Sequence, residues 1–104
     1  MPTNKKEGIL QKGLLTYLNC KGYFWKNHTT GIYDQRKGIF RRLGQKGMSD
    51  ILGVLKGGRF VAIEVKIKPN KPTADQLAFL QKVRNTGGIG IVAYSLDDVL
   101  EIIK

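Results

Sequence analysis

The sequence predicts an α/β domain with a mixed four-stranded sheet flanked by helices, in the element order αβββαβα. Two apolar, β-branched runs meet at Gly57-Gly58 and read as an antiparallel hairpin. A helix-length segment separates that hairpin from the last strand, which permits a right-handed crossover to a parallel partner. Apolar residues at helical spacing open the chain. At 104 residues, the core suffices for one domain, residues 1–104, and is too small to divide.

Ile9, Leu10, Leu14, Tyr17 and Leu18 predict a first helix from Asn4 to about Asn19, with Gly22 beyond its stop. Asn4 and Glu7 have capping-box spacing, a structural reading of Glu7 that stands beside a catalytic one. Residues 22–27, Gly-Tyr-Phe-Trp-Lys-Asn, read as an aromatic strand, better suited to the core than to base stacking because basic residues are not interleaved. From His28 to Gly47 the chain shows little period and reads as a loop, carrying Arg36, Lys37, Arg41, Arg42 and Lys46 against one acid, Asp34. Such a basic flap beside a site would clamp phosphates; a solvated charged loop is the plain alternative. His28 reads as an exposed loop residue.

Beyond the hairpin, Pro69 and Pro72 break the strand, and Thr73 opens a helix bearing Leu77, Phe79, Leu80 and Val83 that Gly87-Gly88 ends. Thr73 and Gln76 again have capping-box spacing. Residues 90–94 read as the last strand, and Ser95 opens a short helix to Lys104 whose Asp97 and Asp98 suit its N-terminal dipole.

Eighteen Lys and Arg against eight Asp and Glu leave a formal charge of +10, for which a polyanion such as DNA is the natural partner. No apolar run reaches the roughly 18 residues of a membrane span, and the N-terminal residues lack a signal-peptide core, so a cytoplasmic protein is expected. Cys20 is the only cysteine; it forms no internal disulfide and is expected to pack as a small buried hydrophobe.

The hairpin carries charges where its pattern predicts burial. Asp50 opens the first run, while Glu64 and Lys66 sit among Val61, Ile63, Val65 and Ile67. Charges placed there cost stability unless something binds them. Glu64 and Lys66 share one strand face roughly 7 Å apart. Two carboxylates can hold Mg²⁺, with the lysine orienting a water or offsetting charge on phosphorus. The same Glu-x-Lys pair is also a common cross-strand ion pair, so a noncatalytic basic DNA-binding module remains open. Register is a condition the metal-site reading must meet. A two-residue Gly57-Gly58 turn puts Asp50 opposite Val65, on the wrong face; a three-residue loop closing Leu55 onto Arg59 puts it opposite Glu64. A bulge, or an Asp50 lying just before the strand, would also serve.

Gly47-Met48-Ser49-Asp50, a thirteen-residue spacer, Glu64-Val65-Lys66 and the downstream Gln76 resemble the PD-(D/E)XK nuclease superfamily, most closely its VRR-NUC family of virus-type replication and repair nucleases. The resemblance implies a restriction-endonuclease-like core. It implies Asp50 and Glu64 as metal-binding acids with the Val65 carbonyl as a third ligand, and Lys66 as the catalytic lysine. Glu7 matches the first-helix glutamate that supports the metal or its water, and Gln76 the glutamine of the next helix. Capping and supporting the metal look exclusive for one side chain. Ser49 stands where the superfamily has proline. The resemblance further implies a Mg²⁺-dependent endonuclease in which Mn²⁺ substitutes, acting as a homodimer on branched DNA, in particular Holliday junctions, in a bacterial or phage-infected cytoplasm. Nucleases of the same fold acting on flaps, nicks or duplex are the alternative.

Overall fold

The computed structural model describes residues 5–27, 31–34, 36–42 and 47–104, with 31–34 and 39–42 described by backbone alone. Asn4, His28 and Lys46 lie outside the described residues. Helix α1 (Lys5–Leu18) leads into strand β1 (Gly22–Lys26). Strands β2 (Gly31–Asp34) and β3 (Ile39–Arg42) follow, then β4 (Ile51–Leu55) and β5 (Phe60–Val65). The chain closes with α2 (Ala74–Asn85), β6 (Ile89–Ala93) and α3 (Leu96–Leu100). The main sheet has the order β1-β4-β5-β6, antiparallel except for the parallel β5–β6 pair that α2 connects. This is the mixed four-stranded sheet flanked by helices that the sequence predicts.

The expected loop over 28–47 is corrected: it contains an antiparallel β2–β3 hairpin, registered from Gly31 opposite Arg42 to Asp34 opposite Ile39. Ile32-Tyr33 and Ile39-Phe40 supply β-formers, and Gly38, at φ 65°, closes the turn between them. Four-residue strands are too short to display an alternation in sequence.

β5 is central and covered on both faces, so Val61 through Val65 are all buried and the run reads as continuous rather than alternating. On one face, Leu14 and Leu18 of α1 and Val99 of α3 pack against Phe24, Ile51 and Ile63. On the other, Phe79, Leu80 and Val83 of α2 pack against Leu52 and Ala62. α2 lies over β5 and β6. The terminal helix ends earlier than expected, at Leu100, and Ile103 beyond it is buried, its carbonyl accepting from the Tyr17 hydroxyl at 2.8 Å. Asp98 has a structural part: its Oδ2 accepts from the Tyr94 N–H at 2.8 Å.

Two burial expectations are corrected. Cys20 is exposed, because it extends the solvent-facing line of Lys12 and Thr16 past the end of α1; its Sγ lies 3.6 Å from the Thr16 carbonyl. The aromatic strand is split by its alternation, with Phe24 in the core while Tyr23 and Trp25 face outward.

Phe24 lies opposite Gly53, and its ring occupies the space a side chain at 53 would fill. Gly53→Ala is therefore expected to lower stability by about 1–3 kcal/mol, read as a drop in the thermal or urea midpoint. An unchanged midpoint would show that the ring can move aside.

Candidate active site

The β4–β5 hairpin turns through Lys56, Gly57 and Gly58. The Leu55 N–H donates to the Arg59 carbonyl at 2.9 Å and the Gly58 N–H to the Leu55 carbonyl at 2.8 Å. Both glycines take positive φ, 102° and 96°, which side chains rarely tolerate and which lets the loop close over three residues. Ile51 pairs with Ile63, so one step further Asp50 stands opposite Glu64. Two of the sequence's alternatives thus hold together: the three-residue loop, and an Asp50 just before the strand.

Backbone and side-chain bonds hold Asp50 at the point where the ladder stops. Its carbonyl accepts from the Asn27 N–H at 2.7 Å. Its Oδ2 accepts from the Val65 N–H at 2.9 Å, replacing the next ladder bond. A strand residue directs its N–H and C=O to the same side, so the Val65 carbonyl also points toward Asp50.

Glu64 is 2% exposed. Its Oε1 accepts from Gln76 Nε2 at 2.9 Å and lies 3.8 Å from Lys66 Nζ. Burial, followed by the neighbouring Asp50 carboxylate, pushes its pKa up to about 9 against the ordinary 4.5, with Lys66 pulling the other way. While Glu64 is protonated, Asp50 serves as its hydrogen-bond partner. Once it is ionised, Oε2 is a buried oxygen with no donor.

Gln76 corrects the expectation that capping and site support exclude each other. Its Oε1 accepts from the Thr73 N–H at 2.8 Å while the Thr73 hydroxyl accepts from the Gln76 N–H at 3.2 Å, completing the capping box. The other end of the same amide donates to Glu64. Only this orientation of the amide satisfies both partners.

α1 brings Glu7 within electrostatic reach. Burial, then Asp50, raise its pKa, and Lys66 and Lys26 oppose the rise. The basic residues are placed less directly. Arg36 and Lys37 are exposed in the turn between β2 and β3, and Arg41 and Arg42 lie on β3.

Three residues at or beside the site were not singled out as site residues from sequence. Ser49 is fully buried next to Asp50, and its Oγ lacks a partner. Lys26 ends β1 opposite Ile51, beside the acids. Gln11 is buried on α1 with an unpartnered Oε1; its signal is the i, i+4 spacing from Glu7 on the stripe that continues to Leu14 and Leu18. Ser49 and Lys26 carry no such periodic signal.

Among the described residues no group of three His, Cys, Asp or Glu side chains forms a metal site. The donor set is two carboxylates and one backbone carbonyl, all hard oxygens, with one carboxylate oxygen orphaned on ionisation. That chemistry fits Mg²⁺ or Mn²⁺, which complete their shells with water.

A solved structure described as a VRR_NUC domain is similar in fold to this chain, with a TM-score of 0.69 and 24% sequence identity over 97% of this chain and 100% of that one. The architecture is thus the restriction-endonuclease-like fold of VRR-NUC domains, in keeping with the resemblance carried by the hairpin motif. No family model matches the sequence, and neither does any curated protein.

Because the folded state holds the Glu64 proton more tightly than the unfolded chain, stability from this group is complete below about pH 4.5. It is lost as pH rises through about 9. Urea midpoints measured with a chelator present are expected to fall across that window. Glu64→Gln should flatten the slope, and an unaltered slope would place the titration elsewhere. Gln76→Ala removes the cap acceptor and the Glu64 donor together, an expected loss of about 1–3 kcal/mol in the same unfolding measurement.

Proposed function

We propose that the chain is a metal-dependent, structure-specific endodeoxyribonuclease that hydrolyses phosphodiester bonds in branched DNA, with four-way junctions as its substrate. The observation that supports this reading best is the facing of two buried-side carboxyls, Asp50 and Glu64, with Lys66 3.8 Å from Glu64 at the open end of the hairpin. An ion pair alone would leave the second acid unexplained. The similarity to a VRR_NUC domain and the +10 charge point the same way.

Asp50, Glu64 and the Val65 carbonyl would hold Mg²⁺ or Mn²⁺. When bound, such an ion supplies positive charge against the scissile phosphate and acidifies a water for attack. The chain's own residues do the rest. Gln76 holds Oε1 of Glu64, so the unpartnered Oε2 is the oxygen that would serve as ligand. Lys66 offsets the charge that accumulates on phosphorus. Glu7, with its raised pKa, is suited to accept a proton from the attacking water. Arg36, Lys37, Arg41, Arg42 and Lys46 would contact the DNA backbone and set register without reading sequence. A homodimer would present two such sites about a two-fold axis, one for each opposing strand of a junction. Action in a bacterial or phage-infected cytoplasm completes the proposal.

A labelled four-way junction, a flap, a nicked duplex and a linear duplex are expected to be cut in that order of preference with Mg²⁺ or Mn²⁺, and not in EDTA. Asp50→Ala, Glu64→Ala and Lys66→Ala should each lose roughly 10²-fold or more. Undiminished cutting by these variants would sink the assigned site, and DNA binding without cutting under any metal would identify a noncatalytic binder.

A further inference from the structure

Strand alternation sorts the α2-side face of the sheet into rows. Trp25 lies opposite Leu52 and Tyr23 opposite Val54; Leu52 and Val54 lie opposite Ala62 and Phe60. The next row, two residues past Leu52 and Ala62, holds Asp50 and Glu64. The aromatic pair and the acid pair therefore share one face, with Trp25 diagonal to Asp50 across adjacent strands at roughly 7 Å.

α2 covers β5, β6 and Leu52 of β4 on this face, and among the described residues no helix packs against β1 there. Tyr23 is 71% exposed, Trp25 39% and Phe60 38%. The Tyr23 and Trp25 rings stand 5.4 Å apart at an interplanar angle of 43°, leaving ring surface uncovered. Exposed aromatic surface of this kind on an edge strand calls for an occupant.

Charge selects the occupant. Lys21 immediately precedes β1 with its ammonium 5.6 Å from the Tyr17 ring of α1, and its carbonyl accepts at 3.1 Å from the N–H of Lys56, which stands near the Tyr23 end of the aromatic pair. Lys26 ends the strand on the Phe24 face, away from the rings, so it adds to the general field and not to the platform itself. Against a chain of net charge +10, a phosphodiester strand brings compensating charge together with bases whose π faces match the rings. A paired base in continuous duplex has its faces already covered by its neighbours.

We infer that Tyr23 and Trp25 form a stacking platform for an unpaired nucleobase beside the scissile phosphate, so that the substrate strand reaches the acids with a base out of its stack. The phrase "scissile phosphate" rests on the nuclease reading above; the platform itself does not.

Trp25 is the only tryptophan, so its emission reports on the platform directly. Titration of single-stranded oligothymidylate in EDTA is expected to quench that emission, and a blunt duplex of equal length is not. By anisotropy of a labelled oligothymidylate, Tyr23→Ala and Trp25→Ala should each weaken binding roughly 5- to 100-fold, with Trp25→Phe restoring most of the loss. Unquenched emission at saturation, or equal quenching by duplex, would overturn the platform. So would a Trp25→Ala variant that turns a dimer into a monomer with oligothymidylate affinity unchanged, because a second copy would then be the occupant. These measurements need no metal ion. Quenching without cutting under any metal would keep the platform and remove the nuclease reading, and cutting without quenching would do the reverse.

Discussion

Two carboxyl groups face each other across β4 and β5 at a point where the sheet is already buried, and most of the chemistry of the molecule follows from that opposition. A buried carboxylate beside another carboxylate is costly unless donors surround it. The fold supplies donors for part of the pair: the Val65 N–H for Asp50, the Gln76 amide for Glu64, and the Lys66 ammonium nearby. One Glu64 oxygen is left over. A proton satisfies the pair, and under the proposed function a cation would do so in its place.

The surrounding elements act as braces for that opposition. β5 can carry Glu64 into the interior because both of its faces are covered, which removes the water that would otherwise screen the charge. Gln76 is rigid because its amide is clamped at both ends, to the Thr73 N–H at the start of α2 and to the Glu64 carboxyl. A helix cap and a site contact are therefore one feature, and the start of α2 cannot shift without disturbing Glu64. α1 approaches from the opposite face, its buried stripe changing from Leu18 and Leu14 to Gln11 and then Glu7 as it nears the acids.

The sheet is covered unequally. α2 shields the half of its face that bears Ala62 and the site-proximal end of β5, leaving β1 with its aromatic rings outward. The function proposed above needs both properties on one surface: a dry wall against which charge acts strongly, and an open approach for a bulky polyanion. The edge of the helix cover, beyond Leu52 of β4, divides them.

Much of this was legible in the residues. Helix and strand periods, the Gly-Gly break, the prolines and the capping pairs predicted the helices and the four strands of the main sheet, and Asp50, Glu64 and Lys66 announced themselves as charges inside apolar runs. Local patterns of this kind are legible because each depends on neighbours a few residues away. The β2–β3 hairpin escaped notice because four-residue strands carry too little alternation, and Cys20 because position along a helix face outweighs residue type. The hairpin register was not decidable from sequence at all: a one-residue difference in loop length would have turned Asp50 to the opposite face. Tertiary structure decided that the loop has three residues, that Gln76 serves cap and carboxyl together, and that Tyr23 and Trp25 lie uncovered beside the acids. The physical reason is common to all three. Each depends on which groups meet across strands or between helix and sheet, and those meetings are set by packing between distant parts of the chain.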